Sequence, residues 1–378
     1  MITSQTPEQE ELRYLASLIS PKESDDRVVK TEPVKKPESL TDDNIIERLD
    51  HHGVTMVALQ ANVLSPSINQ ALQARKALAA ASSELKTQTL IKVFNRFNKA
   101  GLAKCLLFKG TALAHTHYPE PWVRPSSDSD CLISPDDRLK FEKAFQKLKF
   151  KKLFAIEGEL VSYQSTYSRV LTGEVALNID LHWRINNRQI LAKAYDLIEL
   201  SERGTSIASL NHCVLLPSAV DSIIISSLHR LGHHANDERL IWLYDIHLLA
   251  NSLNEDDWEE LCLLCEDKKL AAITLDALAT CNDLLGTHIP EESHEVLKKL
   301  ARRGEPSKVF LQRQLSEWQT FKQDIKALDG ITSKAQLIKE HAFPNRDYIE
   351  EQMGTDNLLK GHGKRLFRGM KRAIKKPN

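Results

Sequence analysis

LLFKGTALAHTHYPEPWVRPSSDSDCLI, residues 106–133, is the stretch of this 378-residue chain from which the fold can be read. Cys105 to Phe108 form a short continuous apolar run of the kind a buried strand shows. Lys109-Gly110-Thr111 follows at once, and residues Thr111 to Tyr118 predict a short helix. Pro119 and Pro121 then force an extended loop through Trp122, Arg124 and Pro125. That loop delivers Ser127-Asp128-Ser129-Asp130 to a second strand containing Cys131, Leu132 and Ile133. Ser134 as N-cap, Pro135 at the first helical position and Asp136 and Asp137 in the first turn predict a helix reaching about Leu148.

Working outward, Phe150 to Ile156 and Leu160 to Val170 read as strands, with turns at Glu157-Gly158 and Thr172-Gly173. Between Val175 and Trp183 the odd positions are apolar while Asn178, Asp180 and His182 share the opposite face, so Asp180 points away from the core side. Beyond Ile190 the pattern is helical throughout. Ser218 to Asp221 is a capping-box pattern after Pro217, and the stripe Ile223, Ile224, Leu228 and Leu231 is closed by Gly232. Helices are expected over 239–251, 256–286 and 293–340. Upstream, a helix near 7–19 precedes a Pro-containing linker, another starts at Thr41 and stops at Gly53, and helices fill 54–100 up to Gly101. The division expected is an acidic, partly disordered segment 1–40, a helical region 41–84, a core 85–190, a helical domain 191–356 and a basic tail 357–378.

Lysines plus arginines number 51 and acids 51, so a whole-surface nucleic-acid or membrane binder is not expected. The first fifteen residues carry glutamates where a signal peptide needs basic charge, and no stretch approaches the ~18 apolar residues of a membrane span. A cytoplasmic protein is the expectation. Six cysteines, at 105, 131, 213, 262, 265 and 281, lie mostly in apolar runs and read as reduced core thiols. The tail 357–378 has eight Lys or Arg and no acid, a composition suited to RNA phosphate, anionic lipid or an acidic partner, and equally to a solvated helix end.

Asp128 and Asp130, two apart at the mouth of one strand, project to the same side, and Asp180 lies on the polar face of a later strand. Three such carboxylates suit hard cations, because Mg²⁺ prefers oxygen ligands and binds through a few carboxylates plus substrate phosphates. Alone, an Asp-x-Asp is more often a solvated turn and a Lys-Gly merely a turn. Arg124 suits either phosphate or a salt bridge, and His182 shares the face of Asp180 and either orients it or touches substrate. His229 and His233 have zinc-like spacing but no fourth ligand, and Cys262-x2-Cys265 lies among leucines.

The order of these elements, with "LLFKGTALAHTHYPEPWVRPSSDSDCLI", "NIDLHWRI" and "RLIWLYDIHLLA", resembles the bacterial family of uncharacterised nucleotidyltransferases within the DNA polymerase beta superfamily. "FPNRDYIEEQMG" near 343 matches its C-terminal part less specifically. The resemblance implies an α+β fold: a nucleotidyltransferase mixed-sheet core between N-terminal helices and a C-terminal helical domain. It implies transfer of a nucleoside monophosphate from an NTP to an acceptor hydroxyl on a small molecule, a protein or an RNA end. Asp128 and Asp130 would ligate two Mg²⁺ ions, with Mn²⁺ as the alternative, and Asp180 would complete the site and help deprotonate the acceptor. Lys109, Gly110, Thr111 and Arg124 would hold the nucleotide, with His182 at the substrate rim and Asp245, in a helix behind the active site, either there or bound to an arginine. The alternative is a non-catalytic nucleotide-binding or regulatory protein on the same fold.

Overall fold

Strand pairing in the computed structural model explains why the apolar runs are short and unbroken. The structure describes residues 6–19, 34–102, 104–153, 158–210, 212, 214–234, 238–312 and 315–374. Four helices come first: α1 (Pro7–Ser17), α2 (Asp42–His51), α3 (Thr55–Gln60) and the long α4 (Pro66–Lys99). The middle of the chain holds β1 (Cys105–Phe108), α5 (Lys109–Ala114), β2 (Ser129–Ile133), α6 (Arg138–Lys147), β3 (Lys151–Lys152), β4 (Gln164–Thr172) and β5 (Val175–His182). Short elements follow: α7 (Gln189–Ala192), α8 (Leu197–Glu202), β6 (Thr205–Ser206) and β7 (Leu215–Leu216). Nine further helices follow among the described residues, beginning with α9 (Ala219–His234), α10 (Leu240–Asn251), α11 (Glu255–Lys268), α12 (Ala271–Leu285) and α13 (Glu291–Ala301). The remainder is α14 (Glu317–Ala327), α15 (Ile331–Ala342), α16 (Arg346–Met353) and α17 (Leu358–Ile374).

The strands form one mixed sheet of order β3-β4-β5-β2-β1-β7-β6. β2 runs antiparallel to β1 and parallel to β5, the central relationship for the site. β1 is buried on both faces, as a run without alternation requires. Cys105 and Leu107 point into a core with Leu90, Val93, Phe94 and Phe97 of α4 and Phe141 and Phe145 of α6. Leu106 and Phe108 join a larger core that reaches from Leu15 in α1 through α9 and α10 to Phe310. The α+β architecture with a helical C-terminal region is therefore as the sequence pattern implies.

Several boundaries differ from expectation, each for a physical reason. The chain beyond Ile190 is not wholly helical, because Leu215 pairs in parallel with Leu106 and extends the sheet. Gly232 does not close α9, which runs on to His234. Its value is space: a Cβ there would sit 2.7 Å from Asn186 Nδ2 and 3.0 Å from Leu191 Cδ1. The predicted 256–286 helix breaks at Lys269, which adopts a left-handed φ of 56°. The predicted 293–340 helix is interrupted by a 3₁₀ turn at Pro306–Leu311 and by Gly330 at φ 76°. Pro135–Asp137 forms a 3₁₀ turn without a Ser134 side-chain cap, and the α-helix starts at Arg138. The helix placed at Thr111 to Tyr118 instead spans Lys109–Ala114. β4 begins at Gln164 rather than Leu160, since the Glu340 carboxylate accepts the backbone N–H groups of Glu159, Leu160 and Val161. The strand predicted over Phe150 to Ile156 pairs at Lys151–Lys152, and residues 154–157 lie outside the described residues. Most of the linker predicted from Pro21 lies outside them too.

One buried group in α10 makes the fold pH-sensitive. His247 is 3% exposed and shares a hydrogen bond of 2.8 Å with Thr287 Oγ1. Burial pushes its pKa down to about 4. Between the usual value near 6.5 and 4, the unfolded chain takes up a proton that the folded chain refuses. Unfolding free energy should therefore fall by about 2 kcal/mol between pH 7 and pH 5 on this account alone. Urea titrations of wild type and His247→Gln check it: the wild-type loss should exceed the variant's, and equal losses would contradict the assignment.

Candidate active site

Two carboxylates are brought together by strand register. β2 and β5 are parallel neighbours with Asp130 opposite Asp180, so both side chains leave the same face at the same level. His182, two residues on in β5, shares that face. The ligand atoms of Asp130, Asp180 and His182 all lie within 4.8 Å of one another, the one such group of His, Cys, Asp or Glu among the described residues.

Each buried charge is answered by polar partners, as burial demands. Asp180 accepts hydrogen bonds from Thr166 Oγ1 at 2.6 Å and Gln164 Nε2 at 3.0 Å, both on the adjoining β4. Asp130 Oδ1 accepts from Lys109 Nζ and from His182 Nε2, each at 2.8 Å. A carboxylate can only accept, so the His182 proton sits on Nε2. His182 thus orients Asp130, not Asp180 as its strand position suggested. Burial alone would raise the Asp130 carboxyl, but the Lys109 ammonium and the His182 hydrogen bond hold it far below the usual carboxylate range.

Asp128 stands at the end of the loop before β2, outside that compact group. Its backbone carbonyl accepts from Thr111 Oγ1 at 3.0 Å and Ser126 Oγ at 2.6 Å, which fixes the loop to α5. Its carboxyl is pushed up to about 6 by burial and then by repulsion from Asp130 and Asp180, against the pull of Lys109 and Arg124. The side chain forms one wall of a cavity of about 130 Å³ that also takes in Ser83 and Lys86 of α4, Trp122, Arg124 and Asn178. Lys86 donates to the Ser126 carbonyl at 3.1 Å; burial lowers its pKa, and Asp128 opposes that.

Around this face, the Lys-Gly-Thr turn and the Pro-rich loop meet. Lys109 has a φ of 59°, and a Cβ on Gly110 would lie 3.0 Å from Arg124 Nη2, so the guanidinium covers the glycine. Arg124 grips Asp245 of α10 through Nε at 2.9 Å and Nη2 at 2.8 Å, and donates through Nη1 to the Pro125 carbonyl at 2.8 Å. The Tyr118 hydroxyl completes the cluster at 2.7 Å from Asp245 Oδ1. Burial works against the Arg124 charge, yet Asp245 more than compensates and keeps it protonated. Asp245 is therefore an arginine partner that fastens the loop to the helical region.

Other sequence candidates stay outside this centre. His229 packs its ring against Trp242 at 5.8 Å, while the side chains of His233 and His234 lie outside the described residues. Cys262 and Cys265 are buried on α11, and burial pushes the Cys265 thiol up to about 12. Cys213 lies outside the described residues. Sequence reasoning missed Lys86, Gln164 and Thr166. The i, i+2 spacing of the last two on a strand was a usable signal; a lysine on a long polar helix offers none.

Donor chemistry agrees with a hard divalent cation. Asp130, Asp180 and His182 bring their ligand atoms together, and the repulsion that raises Asp128 is what a bound cation would relieve. Among the described residues no helix is long and apolar enough to cross a membrane. No curated protein matches the chain. A family described as uncharacterised nucleotidyltransferase matches over residues 42–286, from the start of α2 to the end of α12. That span holds the mixed sheet, the paired aspartates and the Arg124–Asp245 clasp together, and the chain belongs to the uncharacterised nucleotidyltransferase family.

Proposed function

We propose that this chain transfers a nucleoside monophosphate from an NTP to an acceptor hydroxyl, with the chemistry carried by residues 85–190 between the two helical regions. The observation behind this reading is the parallel register of Asp130 and Asp180 with Asp128 at the mouth of the adjoining cleft. Asp128, Asp130 and Asp180 would hold Mg²⁺, or Mn²⁺ in its place. Bound there, the ion supplies charge stabilisation for the phosphates and the departing pyrophosphate.

The remaining work falls to the chain itself. The acceptor oxygen forms a bond to the α-phosphorus as the bond to pyrophosphate breaks, and Asp180 takes up the acceptor's proton. Thr166 and Gln164 keep Asp180 aimed for that task. Gly110 and Thr111 would border the phosphate path, and the absence of a side chain on Gly110 makes room for the Arg124 guanidinium. Lys86 adds a second cation to the lining of the cleft. His182 fixes Asp130, and Asp245 fixes Arg124.

Calorimetric titration of the four NTPs with and without Mg²⁺, against wild type and the Asp128→Ala, Asp130→Ala double variant, tests the reading. Metal-dependent binding of a nucleotide that the double variant loses is the expected result. Binding that survives in the double variant would contradict it. Metal-dependent binding with no pyrophosphate release for any acceptor class would favour the non-catalytic alternative.

A further inference from the structure

In α17, apolar and basic residues are segregated along the sequence. Leu359, Leu366, Met370 and Ile374 recur at intervals of seven, four and four, the spacing that aligns residues along one stripe of a helix. Between and after them, residues 357–378 hold eight Lys or Arg and no acid. A helix on an ordinary protein surface turns such a stripe inward.

α17 is seated the other way round. It meets α16 through Gly361, where a Cβ would overlap the Ile349 side chain, and Ile349 is fully buried. One turn on, Arg365 donates to the His341 carbonyl and lies 5.8 Å from the centre of the Tyr348 ring. At about 100° per residue, the side of the helix opposite Gly361 and Arg365 is that of Leu359 and Phe367. These two side chains are 87% and 59% exposed. Phe343, exposed between α15 and α16, stands with its ring 5.6 Å from that of His362 and widens the apolar patch.

The combination separates the polyanions that a basic helix could meet. A nucleic-acid backbone uses the cations alone and gains little from an outward leucine. A bilayer of anionic lipid offers negative head groups with an apolar layer beneath them, which answers both faces of the helix. Lys360 and Lys364 are exposed, and their apolar stems let the ammonium groups stay at head-group level while Leu359 sinks deeper.

We infer that α17 docks this chain on an anionic phospholipid surface, lying in the head-group plane with Leu359 and Phe367 inserted. Among the described residues no helix is long and apolar enough to cross a membrane, so the attachment through α17 is peripheral and weakened by salt.

Flotation of the full chain with lipid vesicles tests this. The vesicles are phosphatidylcholine alone, and phosphatidylcholine with a third of it replaced by phosphatidylserine. Wild type should attach to the anionic vesicles at least about tenfold more tightly than to the neutral ones, and less tightly as salt is raised. Leu359→Ser with Phe367→Ser keeps every charge and should weaken attachment about tenfold. Lys360→Gln with Lys364→Gln keeps the apolar stripe and should also weaken it about tenfold, with a shallower salt dependence. All four side chains are exposed, so the urea midpoint should hold. Phe367→Trp gives a second readout: its fluorescence should shift to the blue on anionic vesicles and be quenched by brominated acyl chains. Failure to attach to anionic vesicles, equal attachment to neutral ones, or a serine variant that attaches like wild type would overturn the inference. An RNA oligonucleotide held equally by wild type and the serine variant, with no vesicle attachment, would overturn it in favour of nucleic acid.

Discussion

Asp180→Asn is expected to lower nucleotide-dependent pyrophosphate release by about 10³-fold or more while leaving the fold intact. The substitution keeps size and shape, and the new amide can still accept from Thr166 Oγ1, which bonds the carboxylate at 2.6 Å. Turning the Gln164 amide to meet the new donor would set its Nε2 against Asn187 Nδ2, which donates to Gln164 Oε1 at 3.0 Å, so stability should fall by about 1–2 kcal/mol. What disappears is one negative charge on the face shared with Asp130. Losing a ligand that stabilises charge in a buried site forfeits several kcal/mol of transition-state stabilisation. Asp130→Asn should be as inactive but less stable, since it leaves the Lys109 ammonium, on a side chain 10% exposed, without its anion. Steady-state pyrophosphate release read beside urea unfolding separates these effects. An Asp180→Asn enzyme within tenfold of wild type would remove Asp180 from the chemistry.

The second large effect concerns stability. Asp245→Ala should cost about 3–5 kcal/mol, because it strands a guanidinium that is 9% exposed. Tyr118 loses its acceptor in the same step. Arg124→Ala should cost a similar amount by stranding the carboxylate, whose side chain is 5% exposed. Replacing both, as Arg124→Met with Asp245→Leu, should recover most of that loss, since an apolar pair of similar volume avoids the desolvation of two ions. NTP affinity should not recover with it, because Arg124 also lines the cleft beside Asp128. Urea unfolding of the two single variants and the double variant, with nucleotide titration of the double variant, checks both statements. A single alanine costing under about 1 kcal/mol would mean that the clasp is ornamental to the fold.

Much of this arrangement was legible from residues alone, and the reason is local. β1 is a four-residue apolar run bounded by a glycine turn, and β5 alternates strictly, so both announce themselves by period. Asp180 follows from β5 and Asp130 from β2 once the faces are assigned, whereas Asp128 lies before β2 and outside the group of Asp130, Asp180 and His182. Interactions between distant segments were not legible. Lys109 reaches Asp130 across 21 positions, and Arg124 reaches Asp245 across 121. Nothing in either neighbourhood specifies which anion the cation meets. The two-residue strands β6 and β7 are too short to carry a period, and Lys269 ends α11 in a left-handed conformation without the glycine that usually signals one. Glu340 shortens β4 from a helix 180 residues away. In each case the deciding partner is remote in sequence, and a window of neighbouring residues cannot contain it.

The central claim is that the carboxylates on β2 and β5 hold a nucleotide-bound divalent ion. Anomalous diffraction from crystals grown with Mn²⁺ and a non-hydrolysable NTP tests it most directly. The account predicts manganese within about 2.2 Å of carboxylate oxygens of Asp130 and Asp180, with Asp128 beside it and the triphosphate passing Gly110 and Arg124. Manganese or nucleotide bound elsewhere, with these aspartates unliganded, would contradict it.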